Sequence, residues 1–273
     1  DFLSPTVLKT FRIKKYWFVV LVLLAGASFF TARFIIARVE RQPAENLSAA
    51  VAGKVIVVDP GHGGVDPGVT GKSGVLEKNI NLAVAGKLAS YLGQAGAMVL
   101  MTREADVDLS DPGTTGLLAQ KRQDLERRVA LANENRADLY LSIHVNSYPF
   151  PDRCGARTFV QSGAAGALEA ARLIQAELAR VVKNTDLVTG EVDYYITRST
   201  LMPAVIVDIG FLSNEREEKL LQDPAYQSAV AWAVYAGTAG YFAGRAAEPG
   251  PAPDKEAVIK TFKEPVRLKT FQP

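Results

Sequence analysis

The sequence contains two histidines, His62 and His144, each standing where a short hydrophobic run gives way to turn-forming or polar residues. The runs are Val55-Ile56-Val57-Val58 and Leu139-Tyr140-Leu141-Ser142-Ile143. Buried strands ending in loops bring side chains together in one crevice at the edge of an α/β sheet. Two carboxylates are candidates to join them: Glu77, and Asp208 at the end of the run Ala204-Val205-Ile206-Val207. Two imidazoles and one carboxylate, with a position left open for water, are the ligand set of a hydrolytic zinc centre. Cys154 is the only cysteine, which excludes an internal disulfide and a multi-cysteine zinc site. A metal must therefore rest on His, Asp and Glu.

The stretch Asp59-Pro60-Gly61-His62-Gly63-Gly64-Val65-Asp66-Pro67-Gly68 packs four glycines around one histidine directly after a strand. Glycine there permits a sharp turn and a close ligand approach. The stretch lacks the Gly-Lys-Ser/Thr ending of a phosphate loop and the spacing of a dinucleotide fingerprint. Asp59 either orients a histidine from behind or only shapes its turn. Glu77 falls in what reads as the first turn of a helix, where a glutamate commonly does no more than complement the helix dipole. Asn146 follows His144 by two residues, on the same face of a strand, where it can bind substrate or orient a ligand.

The elements that must position these groups follow from periodicity. The pattern predicts strands at 54–58, 97–102, 138–144, 156–161 and 204–209, with helices at about 77–93, 118–134, 164–183 and 224–242. Ile80, Val84, Leu88 and Leu92 recur every fourth residue, as do Ile174, Leu178 and Val182, and both stripes read as core. Asp223-Pro224 is a sound cap and first-turn pair for the last helix. Alternation of strands and helices predicts a single α/β domain over residues 54–243, its mixed, mostly parallel sheet covered by helices on both faces.

Residues 16 to 32 carry no charge and follow Lys9, Arg12, Lys14 and Lys15, the pattern of a membrane-targeting segment preceded by a basic cytoplasmic stretch, residues 1–15. Extension through Ala37 makes 16–37 long enough for a retained transmembrane helix. The small residues Ala25-Gly26-Ala27 leave a cleaved signal peptide as the rival. Either reading places the rest of the chain outside the cytoplasm. Residues 38–53 read as a linker and 244–273, rich in proline and charge, as a disordered tail. With 31 basic and 29 acidic side chains, no charge excess points to nucleic acid.

Four ordered strings carry a resemblance: Asp-Pro-Gly-His-Gly-Gly from Asp59, Leu-Glu-Lys-Asn from Leu76, Ser-Ile-His-Val-Asn from Ser142 and Asp-Ile-Gly-Phe-Leu-Ser-Asn from Asp208. Together they resemble the zinc-dependent N-acetylmuramoyl-L-alanine amidases of the type 3 family. Met101-Thr102-Arg103-Glu104, Asp108-Leu109-Ser110-Asp111-Pro112 and Lys121-Arg122-Gln123-Asp124-Leu125 narrow the likeness to the branch acting on spore-cortex peptidoglycan. The resemblance implies that His62, Glu77 and His144 bind one Zn²⁺ and that the acidic residue before Ile209-Gly210-Phe211 is the catalytic carboxylate. It implies hydrolysis of the amide between N-acetylmuramic acid and L-alanine, and suggests an activating lipoprotein partner. Asn146 and the backbone of Gly63 and Gly64 are expected substrate contacts.

One position departs from the family pattern, which has glutamate where this chain has Asp208. A reacting group displaced by about 1 Å can cost about a hundredfold in rate, so a slow enzyme or a zinc-bound, non-cleaving muropeptide- or partner-binding protein is the rival reading. Glu191 and Asp193 are upstream candidates for a replacement base, each otherwise a solvated loop charge. A zinc peptidase cutting within the stem peptide is a further alternative. A glycosidase is disfavoured, because that chemistry uses a carboxylate pair without metal.

Overall fold

The structure is a computed structural model and describes Gly26 and residues 48 to 247 apart from 151, 184 and 186. The expected membrane segment 16–37, Gly26 aside, the linker residues 38–47 and the tail residues 248–273 lie outside the described residues. Among the described residues no helix is long and apolar enough to cross a membrane.

Among the described residues six strands form one sheet: β1 (Val55–Pro60), β2 (Met98–Met101), β3 (Leu139–Asn146), β4 (Arg157–Val160), β5 (Gly190–Glu191) and β6 (Ala204–Phe211). Their order is β2-β1-β3-β6-β4-β5. Every neighbouring pair is parallel except β4 and β6, which run antiparallel. Among the described residues, besides a short helical stretch before β1, the helices are α1 (Glu77–Gln94), α2 (Leu117–Glu134), α3 (Ala165–Val182), α4 (Tyr195–Ser199), α5 (Glu215–Gln222) and α6 (Pro224–Ala247).

The all-apolar strands reflect burial on both faces. Ile56 and Val58 of β1 point into a core built with Val84 and Leu88 of α1, Ile174 and Leu178 of α3, and Val230 and Val234 of α6. Their neighbour Val57 points the other way, with Tyr140, against Val129 and Ala132 of α2 and Ile196 of α4. The stripes at every fourth position are what this packing needs: Val84, Leu88, Ile174 and Leu178 are fully buried.

Several boundaries differ from the sequence reading, for local reasons. Strands β1, β3 and β6 each run two residues further at their C-terminal ends, so His144 stands two residues before the end of β3 rather than at it, and Asp208 three before the end of β6. The end of the expected linker is folded, with Ser48 to Val51 helical, Val51 wholly buried and Ser48 Oγ 3.3 Å from Tyr235 Oη. Helix α6 continues through Ala247, past the expected end of the domain at residue 243, because Arg and Ala sustain a helix. Helices α4 and α5 and strand β5 were not anticipated. In α5 the buried positions include Glu217 and Glu218, so no apolar stripe marks it. Asn214 nevertheless caps it, its side chain accepting from the Arg216 and Glu217 N–H groups.

Candidate metal centre

Strands β1, β3 and β6 are adjacent and parallel, so their C-terminal ends share one edge of the sheet, and the site is built there. His62 stands two residues beyond β1 with φ at +63°, a left-handed conformation that costs an L residue about 1–2 kcal/mol. Two buried arginines hold this turn. Arg128 Nη2 donates to His62 O at 2.9 Å and Nη1 to Pro60 O at 3.0 Å. Arg103 donates to Pro60 O at 2.9 Å, Gly61 O at 3.1 Å and Lys78 O at 2.8 Å, tying the turn to the start of α1.

Glu77 opens α1 but is only 2% exposed, so its carboxylate faces the protein rather than merely complementing the helix end. Oε1 accepts from Val145 N–H at 2.9 Å and Asn81 Nδ2 at 3.2 Å, and Oε2 from Val69 N–H at 2.8 Å. His62 Nε2 lies 3.3 Å and His144 Nδ1 3.1 Å from Glu77 Oε1. The two rings meet edge to face with centroids 5.0 Å apart. One potential ligand atom from each of His62, Glu77 and His144 lies within 4.8 Å of the others.

The electrostatics favour a cation at this point. Burial pushes Glu77 up, but the hydrogen bonds and charges of His144 and His62 prevail and hold it well below the usual carboxylate range. Burial lowers His62, yet Glu77 and Asp66 raise it overall. A buried carboxylate facing two imidazole nitrogens suits a divalent ion that accepts both nitrogen and oxygen donors, as Zn²⁺ does, whereas Ca²⁺ and Mg²⁺ favour all-oxygen sites.

Asp208 is His144's register partner on β6, and it is 9% exposed. Burial is the main cause pushing its carboxyl up to about 6, against the opposing pull of His144, the Asn146 hydrogen bond and Arg157. Asn146 Nδ2 donates to Asp208 Oδ2 at 2.6 Å, while its Oδ1 accepts from Ser147 N–H at 2.7 Å. This asparagine orients the carboxylate beside it.

The structure places the other expected residues differently. The N–H of Gly63 donates to Asp66 O at 3.0 Å and that of Gly64 to Asp106 Oδ1 at 3.0 Å. Among the described residues Asp59 hydrogen-bonds no histidine, and it bears on the turn through Arg128, which donates to Pro60 O and His62 O. It is fully buried and accepts from Arg128 Nη1, Thr102 Oγ1 and Ser142 Oγ, each at 2.6 Å. Burial pushes its carboxyl up, but the Arg128 guanidinium and the two hydroxyls hold it down at about 2. Glu191 is the partner of Val160, at the opposite end of β4 from Arg157, the partner of Asp208. Glu191 bonds Ser162 Oγ, so the sheet holds it away from the site, and Asp193 pairs with Arg198.

Asp66 was not anticipated as a site residue. Its Oδ2 lies 2.9 Å from His62 Nδ1 and 3.1 Å from Lys121 Nζ of α2. The available signal was an acidic side chain four residues after a histidine within one glycine-rich turn. Beside Asp66 the surface opens into a cavity of about 230 Å³ with Val65, Pro67, Leu117 and Leu118 in its lining.

The family model described as N-acetylmuramoyl-L-alanine amidase matches residues 56–239. The germination-specific N-acetylmuramoyl-L-alanine amidase of Bacillus subtilis (strain 168) is 41% identical over 196 residues, covering 71% of this chain and 82% of that protein. The CwlD amidase from Clostridioides difficile, solved in complex with the GerS lipoprotein, superposes with a TM-score of 0.68 at 36% identity, over 69% of this chain and 98% of that one. The catalytic domain of CwlV, an N-acetylmuramoyl-L-alanine amidase from Bacillus (Paenibacillus) polymyxa var. colistinus, gives a TM-score of 0.61 at 34% identity, over 69% and 97%. By the span of the family match and the identity to these relatives, the chain belongs to the N-acetylmuramoyl-L-alanine amidase family.

Proposed function

We propose that this protein is a zinc-dependent N-acetylmuramoyl-L-alanine amidase of the spore-cortex type, hydrolysing the amide between N-acetylmuramic acid and L-alanine in peptidoglycan. The observation that carries the reading is the convergence of His62, Glu77 and His144 within 4.8 Å, with the Asp208 carboxylate buried in register beside His144. The likeness to a germination-specific relative supports the cortex assignment. The uncharged run 16–37 behind four basic residues supports an anchor that keeps the catalytic domain outside the cytoplasm. The GerS lipoprotein bound to the Clostridioides difficile amidase supports a lipoprotein partner here.

His62, Glu77 and His144 would hold the ion. When bound, zinc supplies Lewis acidity, lowering the pKa of water towards about 7 and polarising the scissile carbonyl. The Asp208 carboxylate takes a proton from the attacking water as the new C–O bond forms, and returns one to the departing L-alanine nitrogen as the C–N bond breaks. The Asn146 amide fixes which oxygen of Asp208 faces that proton. The products are a peptide-free lactyl carboxylate on the glycan and a stem peptide with a free L-alanine amino terminus.

The decisive experiment digests cortex-type peptidoglycan with the zinc-loaded full chain, with Asp208→Asn and with Asp208→Glu, and resolves the products by mass. The parent is expected to release peptide-free muramic acid, and Asp208→Asn to slow by about 10²–10⁴-fold with zinc retained. Aspartate where the family has glutamate favours one second reading, a protein that binds zinc and muropeptide without cleaving. Cleavage by Asp208→Glu but not by the parent would establish that second reading instead. Products cut within the stem peptide would identify a zinc peptidase.

A further inference from the structure

We propose that Asp66 is a positioning residue for metal binding: it accepts a hydrogen bond from His62 Nδ1–H and so presents His62 Nε2 to Glu77 and the metal. The inference rests on the zinc reading above. Its first support is that both ends of the imidazole are accounted for, with Nδ1 at 2.9 Å from Asp66 Oδ2 and Nε2 at 3.3 Å from Glu77 Oε1. A metal-binding histidine commonly donates its second ring nitrogen to a carboxylate, which fixes the tautomer and the ring plane.

The second support is that Asp66 is itself held from three sides. Its backbone exchanges two hydrogen bonds with Gly63, each 3.0 Å long. Its Oδ1 accepts from Gly68 N–H at 3.2 Å, and Lys121 Nζ approaches Oδ2 from α2 at 3.1 Å. An Asp66–Lys121 contact alone would be a half-exposed ion pair, of little net worth and indifferent to the metal. The His62 contact is what that account leaves unexplained. His144 is held by another means: its ring lies against Gly61, where a Cβ would approach Nε2 to 2.3 Å. The two histidines are thus oriented differently, one by an acceptor and one by packing.

The test uses the full chain labelled with ¹⁵N-histidine. Because the chain contains two histidines, its imidazole spectrum is readily assigned. In the zinc-loaded parent, His62 is expected as the Nδ1–H tautomer. Chelator competition should show Zn²⁺ affinity reduced by about 10–100-fold in Asp66→Ala. Asp66→Asn keeps the volume but offers a weaker neutral acceptor, and its loss should be smaller. Thermal melting of the zinc-free proteins checks that the variants are folded, and if Asp66→Ala is not, Asp66→Asn and the parent tautomer decide. An Nε2–H tautomer in the zinc-loaded parent, or variant affinities within about twofold of the parent, would overturn the proposal. Failure of the parent to bind Zn²⁺ would instead remove the zinc reading, and this inference with it.

Discussion

At the residue scale, Gly61 shows how closely two segments distant in sequence must approach. An added Cβ there would lie 2.2 Å from His144 Cε1 and 2.7 Å from Nδ1. Gly61 is not among the positive-φ glycines, so alanine is not barred by its backbone and must act through the imidazole. Gly61→Ala is therefore expected to displace His144 and weaken Zn²⁺ binding by about tenfold or more, leaving the far-ultraviolet circular dichroism unchanged. Chelator competition measures this, and unchanged zinc affinity would show that the ring has room to move. Gly68 differs, because its φ of +66° would strain any side chain, while a Cβ would also lie 2.5 Å from Glu77 Oε2.

At the element scale, one buried network ties α2 to the sheet beneath the site. Arg128 of α2 reaches Asp59 on β1 at 2.6 Å and Asp124 on its own helix at 2.8 Å, while Thr102 and Ser142 bring the chain after β2 and strand β3 to the same Asp59 carboxylate. Removing one partner of such a pair leaves a charge buried and uncompensated. Arg128→Met should thus destabilise the fold by about 3–5 kcal/mol, read by denaturant unfolding. The Asp59 carboxyl sits near 2 in the fold against an ordinary 3.8. A depressed carboxyl stabilises the fold above its unfolded value, so this contribution is complete above about pH 4 and fades as the pH falls through about 2. It amounts to about 2 kcal/mol. Melting curves between pH 5 and 2 should show this loss in the parent and a smaller one in Asp59→Asn.

At the scale of the whole molecule, an ion held by His62, Glu77 and His144 would join parts of the chain that only the folded state brings together. Binding to the folded form alone, at about a thousand times the dissociation constant, stabilises by about 4 kcal/mol. For a domain of this size that raises the melting temperature by roughly 8–16 °C. Calorimetry with zinc and then with a chelator should show the rise and its reversal, whereas equal melting temperatures would mean that the ion is not bound by the folded site. The two faces of the sheet are unequal here. Helices α1, α3 and α6 share the larger core, while α2 and α4 close the smaller one, and α2 is the helix that carries Arg128 and Lys121.

Much of this was legible in the sequence, because burial leaves a periodic trace. Uninterrupted apolar runs marked β1, β3 and β6, and stripes at every fourth residue marked α1 and α3, since a strand covered on both faces and a helix covered on one must have those patterns. The residue types at the strand ends also named His62, His144 and Asp208 as candidates, with Glu77 added from the first turn of a helix. Helix α5 left no such trace, because its buried Glu217 and Glu218 bond backbone and side-chain groups from other segments: Glu217 the N–H of Gly155 and Phe211, Glu218 the N–H and hydroxyl of Ser73. The partners of Asp59, the hold of Asp66 on His62, the Asn146 hydrogen bond to Asp208 and the internal use of the Gly63 and Gly64 amides were decided by tertiary structure alone. Periodicity records whether a side chain is buried. Which group it meets there depends on strand order and register, and these are set by contacts between residues far apart in the chain.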